Sequence, residues 1–300
     1  MLTEQERGVL DVLAKTPMPK DIPGLRAMID TAFEMMNANP PEIGALHENV
    51  ELRPGLHADV AVPKGAGPHP VVVYLHGGGW VAGSPKSHRK LGMQFAEQGY
   101  LTINVDYRLA PEHRFPAGLD DCVFAIKWAG ENAKRWNGDG TRMAVGGDSA
   151  GGNLSAASVA ALAAENYKGA RPKAALLIYG VFDFPAVLAR FGKDPDASIG
   201  IEGMARAYLG DKYPAALDDP RVSPLKAVKS GAFPASFVIC GTADPLVAEA
   251  RAIAEALKRA DIPHEVRIFE DMPHGFLQMG MLNDCNEGLR LMFDFLRRHV

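Results

Sequence analysis

The sequence predicts an α/β fold with a mostly parallel central sheet flanked by helices. Three observations carry that expectation. Continuous apolar runs, such as Val71-Val-Val-Tyr-Leu75 and Phe237-Val-Ile-Cys240, have the composition of strands buried on both faces. Segments with apolar residues at helical spacing lie between these runs, so strands and helices alternate over most of the chain. A tight turn, Gly147-Asp-Ser-Ala-Gly151, joins one such strand directly to an alanine-rich helix.

Taken in order, Thr3 and Glu6 form a capping box, followed by a short apolar face of Val9, Leu10 and Leu13. Asp21 caps a second helix with Pro23 in its first turn. Its stripe of Leu25, Met28, Ile29, Ala32, Phe33 and Met36 packs on neighbours, and its Met and Phe side chains also suit the wall of an apolar pocket. Pro40-Pro41 ends it. From His47 the period falls to two, and residues 50–62 around Pro54-Gly55 read as a hairpin at an antiparallel edge.

The strand at 71–75 runs into His76-Gly-Gly-Gly-Trp80. Further strands are expected at 101–105, 142–145, 174–179, 237–240 and 265–269, with helices at 118–129, 153–165, 245–260 and 286–298. Residues 183–224 break the rhythm and hold one helical piece near 201–209. We expect a single domain over 1–300. About 1–42 and the 183–224 insertion form a helical cap over the carboxyl ends of the strands, where such sheets bind ligands.

Composition narrows the function. A net charge of -4 over 300 residues, with no basic stripe, gives no case for nucleic acid. Cys122, Cys240 and Cys285 fit neither a disulfide framework nor a zinc signature, and read as reduced core residues of a cytoplasmic protein. The acidic N-terminus has no apolar signal core, and no apolar run approaches the ~20 residues of a membrane span, so no stable membrane association is expected.

The chemistry centres on Ser149. In G-x-S-x-G between strand and helix, the serine sits on a strained elbow with its hydroxyl lifted above the sheet. It needs a base and a group to orient that base. Of nine histidines, His47, His57, His69, His88, His264 and His299 read as surface residues. His274 instead follows the last strand in a Pro- and Gly-flanked loop, at the edge where Ser149 must also lie. Asp244 ends the strand before it and is the favoured acid, although Asp before Pro is also a common helix cap. Asp271, in the histidine's own loop, competes with it. Gly77, Gly78 and Gly79 are the candidate oxyanion-hole residues, with Gly78, Gly79 and the Ala150 N–H assigned as donors. His76 orients that loop and Trp80 packs behind it. No nucleotide-binding glycine motif and no metal-ligand spacing is present, so no cofactor and no metal are expected.

Together these residues resemble the hormone-sensitive-lipase-like family of α/β-hydrolase carboxylesterases. His76-Gly-Gly-Gly-Trp80, Tyr107-Arg-Leu-Ala-Pro-Glu112, Gly147-Asp-Ser-Ala-Gly-Gly152, Asp244-Pro-Leu246 and His274-Gly-Phe276 match its motifs in order, and 219–225 resembles the segment leaving the cap. The resemblance implies a cytoplasmic serine esterase with an N-terminal helical cap, often a homodimer. It implies action on small-molecule esters of short to medium acyl chains. It also implies that residues 107–112 brace the site. One departure stands out: Tyr179-Gly180 replaces the Tyr-Pro of many relatives, which bears on the path into the cap. The same machinery could act on a lactone, amide or carbamate, and a non-catalytic receptor on this fold would be expected to lack a triad member.

Overall fold

The computed structural model describes residues 2–17, 19–191 and 199–300; side chains 13, 14 and 33–35, and residues 192–198 of the insertion, lie outside the described residues, as do the expectations for Leu13 and Phe33. The strands are β1 (Ala45–Arg53), β2 (Leu56–Val62), β3 (His69–Leu75), β4 (Leu101–Asp106), β5 (Gly138–Asp148), β6 (Ala174–Ile178), β7 (Ala235–Gly241) and β8 (His264–Phe269). They form one sheet in the order β1-β2-β4-β3-β5-β6-β7-β8. The β1–β2 and β2–β4 pairings are antiparallel and the rest are parallel, so the hairpin supplies the antiparallel edge as expected.

Parallel neighbours end together. Leu75 pairs with Gly147, Asp148 with Ile178, and Gly241 with Phe269, which brings the carboxyl ends of β3, β5, β6, β7 and β8 to one edge. Residues in the middle of β3, β5, β6 and β7 are wholly buried, as their apolar runs require. Each buried Val, Leu, Ile, Phe or Met among them contributes roughly 1.5–3 kcal/mol on burial.

The helices are α1 (Glu4–Lys15), α2 (Ile22–Met36), α3 (Arg89–Glu97), α4 (Ala117–Asn132), α5 (Ala150–Ala164), α6 (Phe184–Phe191), α7 (Ile201–Leu209), α8 (Val247–Arg259) and α9 (Asn283–His299). The capping box closes α1: Glu6 Oε2 accepts the Thr3 N–H at 2.7 Å and Thr3 Oγ accepts the Glu6 N–H at 3.2 Å. Asp21 caps α2 through the Gly24 N–H at 2.8 Å. Two helices were not expected. In α3, Leu91, Phe95 and Ala96 bury a narrow face of nine residues, too short to rise above its polar flanks. In α6, eight residues of the insertion bury Phe184 and Val187.

Both terminal and inserted helices reach the loop after β3. Arg26 of α2 donates to the Val81 carbonyl at 2.7 Å and pairs through both terminal nitrogens with Glu112. Trp80 stacks on Tyr208 of α7 (ring centroids 5.0 Å, planes 17° apart) and packs against Phe184 of α6. The insertion's neck is tied to α5: Asn153 accepts from the Trp80 indole at 3.3 Å and donates to the carbonyls of Val181 at 2.7 Å and Val222 at 2.9 Å. Gly180 fits there because a Cβ would stand 2.7 Å from the Phe182 ring and 3.0 Å from the Asn153 nitrogen. The Tyr-Gly step thus lets the chain turn tightly into the insertion.

Candidate active site

Ser149 occupies the turn between β5 and α5 with φ 54° and ψ -117°, outside the regions that residues with a side chain ordinarily adopt. Its N–H donates to the Ile178 carbonyl at 2.9 Å, which pins the elbow to the neighbouring strand. The flanking glycines are sterically required. A Cβ on Gly147 or on Gly151 would overlap the Leu75 carbonyl of β3. The helix therefore starts at Ala150, three residues earlier than the apolar pattern suggests, directly behind the serine.

His274 lies in the loop after β8, with Nε2 2.9 Å from Ser149 Oγ and Nδ1 2.8 Å from Asp244 Oδ2. Asp244 is 2 % exposed. Its other oxygen accepts the Leu246 N–H at 2.7 Å, so it shapes its own turn as well, while α8 begins only at Val247. Asp271 is exposed and its N–H donates to Thr242 Oγ at 2.8 Å, a contact that ties the loop after β8 to the one after β7. Burial works to lower the pKa of His274, but the hydrogen bond and charge of Asp244, together with the charge of Asp148, outweigh it and raise it above 6.5.

The glycine loop separates into two parts. The Gly77 N–H donates to Asp148 Oδ1 at 3.0 Å and the residue is buried, so this expected oxyanion-hole residue has its N–H engaged by a side chain. Gly78 and Gly79 are half-buried, with φ of 121° and 61°. A Cβ on Gly78 would overlap the Ala82 carbonyl, and one on Gly79 the sulfur of Met204 from α7. His76 is fully buried, stacks on Tyr107 (4.2 Å, 16°) and has Nδ1 2.8 Å from the Gly77 carbonyl. The Tyr107 hydroxyl donates to the His76 carbonyl at 2.7 Å. Burial and the nearby His88 lower the His76 pKa to about 3, so it stays neutral.

Two histidines depart from expectation. His69 and His88 are buried, at 8 % and 2 % exposure, not surface residues. His88 has Nδ1 2.8 Å from Ser87 Oγ and Nε2 3.2 Å from Asp148. Asp148, Asn153 and Met204 were not expected at the site. Asp148 and Asn153 both stand within the eleven residues around the serine, and a signal existed there: a charged and an amide side chain in an otherwise apolar and glycine-rich strand–turn–helix. The three cysteines are free and buried, as expected.

A serine on a strand–helix elbow, bonded to a histidine that is bonded to a buried aspartate, on a parallel sheet of this order, defines the hydrolase class of this fold. A family profile described as alpha/beta hydrolase fold matches residues 72–278. The chain is 36% identical over 219 residues to "Carboxylesterase NlhH" of Mycobacterium tuberculosis (strain CDC 1551 / Oshkosh), covering 71% of this chain and 68% of that one. It is 35% identical over 239 residues to "Ethyl acetate hydrolase" of Pseudomonas putida, covering 76% and 73%. A hyperthermophilic esterase from Pyrobaculum calidifontis superposes with a TM-score of 0.87 at 28% identity, covering 99% of this chain and 98% of that one. The chain belongs to the hormone-sensitive-lipase-like carboxylesterases of the α/β-hydrolase fold.

Proposed function

We propose that the protein is a serine carboxylesterase that hydrolyses short- to medium-chain acyl esters of small molecules through an acyl-enzyme, with Ser149 as nucleophile, His274 as base and Asp244 as orienting acid. The observation that carries this reading is the unbroken hydrogen-bonded line from Ser149 Oγ to His274 at 2.9 Å and on to Asp244 at 2.8 Å. With Nδ1–H turned to Asp244, Nε2 is free to take the serine proton as Oγ attacks the ester carbonyl. The negative charge on the tetrahedral intermediate meets the N–H groups of Gly78, Gly79 and Ala150. His274 then hands its proton to the leaving alcohol, and a water activated the same way releases the acid. No cofactor enters these steps.

The helices α1, α2, α6 and α7 act as the cap that shapes the acyl and alcohol pockets. Contacts of Arg26, Tyr208 and Met204 with the glycine loop support that role. Among the described residues no helix is long and apolar enough to cross a membrane, and three free buried thiols fit a reducing, cytoplasmic setting.

The test is Ser149→Ala assayed on a short-chain aryl ester and on its matched amide, alongside labelling of the wild type by a fluorophosphonate. Loss of ester hydrolysis with an unchanged circular dichroism spectrum, and stoichiometric labelling lost in the variant, are expected. Activity in Ser149→Ala within about tenfold of wild type would overturn the assignment, since removing a triad serine costs on the order of 10⁶ in kcat.

A further inference from the structure

The residue before the nucleophile has no step in the scheme above. Yet Asp148 is only 4 % exposed, and four groups from three separate segments converge on its carboxylate. Tyr74 of β3 donates its hydroxyl to Oδ1 at 2.8 Å, and Gly77 its N–H to the same oxygen at 3.0 Å. His88 Nε2, just before α3, lies 3.2 Å from Oδ1, and the Gln278 amide donates to Oδ2 at 3.0 Å. Gln278 sits in the short turn after His274. The carboxylate is also packed hard on the glycine loop, for a Cβ on Gly77 would overlap Oδ2.

A buried ionised carboxylate is expensive unless it is paired and hydrogen-bonded. Here the paired arrangement has a consequence for geometry. The backbone of Asp148 leads directly into Ser149, while its side chain grips the loop carrying Gly78 and Gly79 and the loop carrying His274. Three parts of the reaction that lie on β3, β5 and β8 are thereby referred to one rigid group. Catalytic groups lose much of their effect when displaced by about 1 Å.

We propose that Asp148 is a positioning residue for acyl transfer, holding the oxyanion loop, the nucleophile elbow and the histidine loop in register through one buried carboxylate. The proposal rests on the serine-esterase reading above. Burial disfavours the charged form of Asp148, but the charge and hydrogen bond of His88 and the Tyr74 hydroxyl outweigh it and keep the carboxyl below its usual range. Tyr74, His76, His88, Tyr107 and Tyr179 are the titratable groups around it. His274 in turn faces Asp244 and Asp148, with the Tyr179 ring 4.9 Å away. The Asp148 charge favours the protonated imidazole, so its removal lowers the His274 pKa.

Asp148→Asn keeps the shape and removes the charge. The expected result is a loss of about 10²-fold in kcat at nearly unchanged KM, with the acid limb of kcat/KM displaced to lower pH. Gln278→Met and Tyr74→Phe each delete one donor and should lower kcat by less, again with KM unchanged. Wild-type kcat and an unmoved limb in a folded Asp148→Asn overturn the proposal. Should Asp148→Asn fail to fold, the two donor variants decide: reduced kcat in both supports the role, and wild-type kcat in both overturns it. Ser149→Ala measured alongside separates the two levels of inference. An active Ser149→Ala removes the esterase reading, whereas an inactive one beside a fully active Asp148→Asn removes only the positioning role.

Discussion

Asp244 Oδ2 lies 2.8 Å from Nδ1 of His274, a residue 30 positions further along the chain. They meet because β7 and β8 are parallel neighbours that end at the same edge, with Gly241 opposite Phe269. The aspartate is buried and the histidine partly open, so the carboxylate is shielded from water while the imidazole stays accessible.

That arrangement predicts the pH dependence. His274 must be neutral to accept the Ser149 proton, and its pKa is raised above 6.5. The kcat/KM should therefore be full above the raised pKa and fall about tenfold per pH unit below it, with the acid limb's midpoint above pH 6.5. Asp244→Asn removes the stabilising charge and favours the wrong tautomer, so it should move the limb down and cost about 10⁴ in kcat. A pH–rate profile of both proteins checks this, and a wild-type midpoint below 6.5 would contradict it.

Gly79 has φ 61° and no room for a Cβ against the Met204 sulfur. Gly79→Ala should displace the loop and cost about 10²–10³ in kcat, the price of one oxyanion donor, with a small change in KM. Gly55, in the β1–β2 turn, has φ 79° but open space around it. Gly55→Ala is the control: it shares the backbone strain, lies away from the elbow, and should retain wild-type kcat.

Met204 is the side chain that α7 lays against the glycine loop. Met204→Ala should open the pocket there and shift the optimum of an acyl-chain series towards longer chains, by about tenfold in relative kcat/KM between adjacent optima. An unchanged chain-length profile would show that the pocket ends elsewhere.

Glu249 of α8 is fully buried and accepts the N–H groups of Phe182 at 2.9 Å and Asp183 at 2.7 Å, while pairing with Arg190. It clamps the entry to the insertion. Glu249→Ala strands two backbone donors and should destabilise the fold by about 1–3 kcal/mol for each. Urea denaturation reads the loss. Glu249→Gln, which can still accept, should lose less.

Much of this protein was legible in its residues, and the reason is local. A strand buried on both faces must be apolar throughout, as at 71–75, and an elbow at Ser149 must have glycine where β3 passes within contact of α5. The order of glycine loop, serine, aspartate and histidine could be read because each stands at the end of a recognisable strand. The helical piece expected near 201–209 is α7, Ile201–Leu209.

Partners distant in sequence lie beyond any local pattern and follow from the folded sheet alone. Gly77 looks like its neighbours Gly78 and Gly79 until Asp148, 71 residues on, takes its N–H. His88 reads as a surface histidine until the same carboxylate, 60 residues away, receives it in the interior. Gln278 carries no motif, yet reaches Asp148 across 130 residues. Such pairings depend on which strands lie side by side, and strand order is set by the packing of the whole sheet. A local pattern can state that a carboxylate stands beside the serine. Only the folded sheet determines how many groups it holds in place.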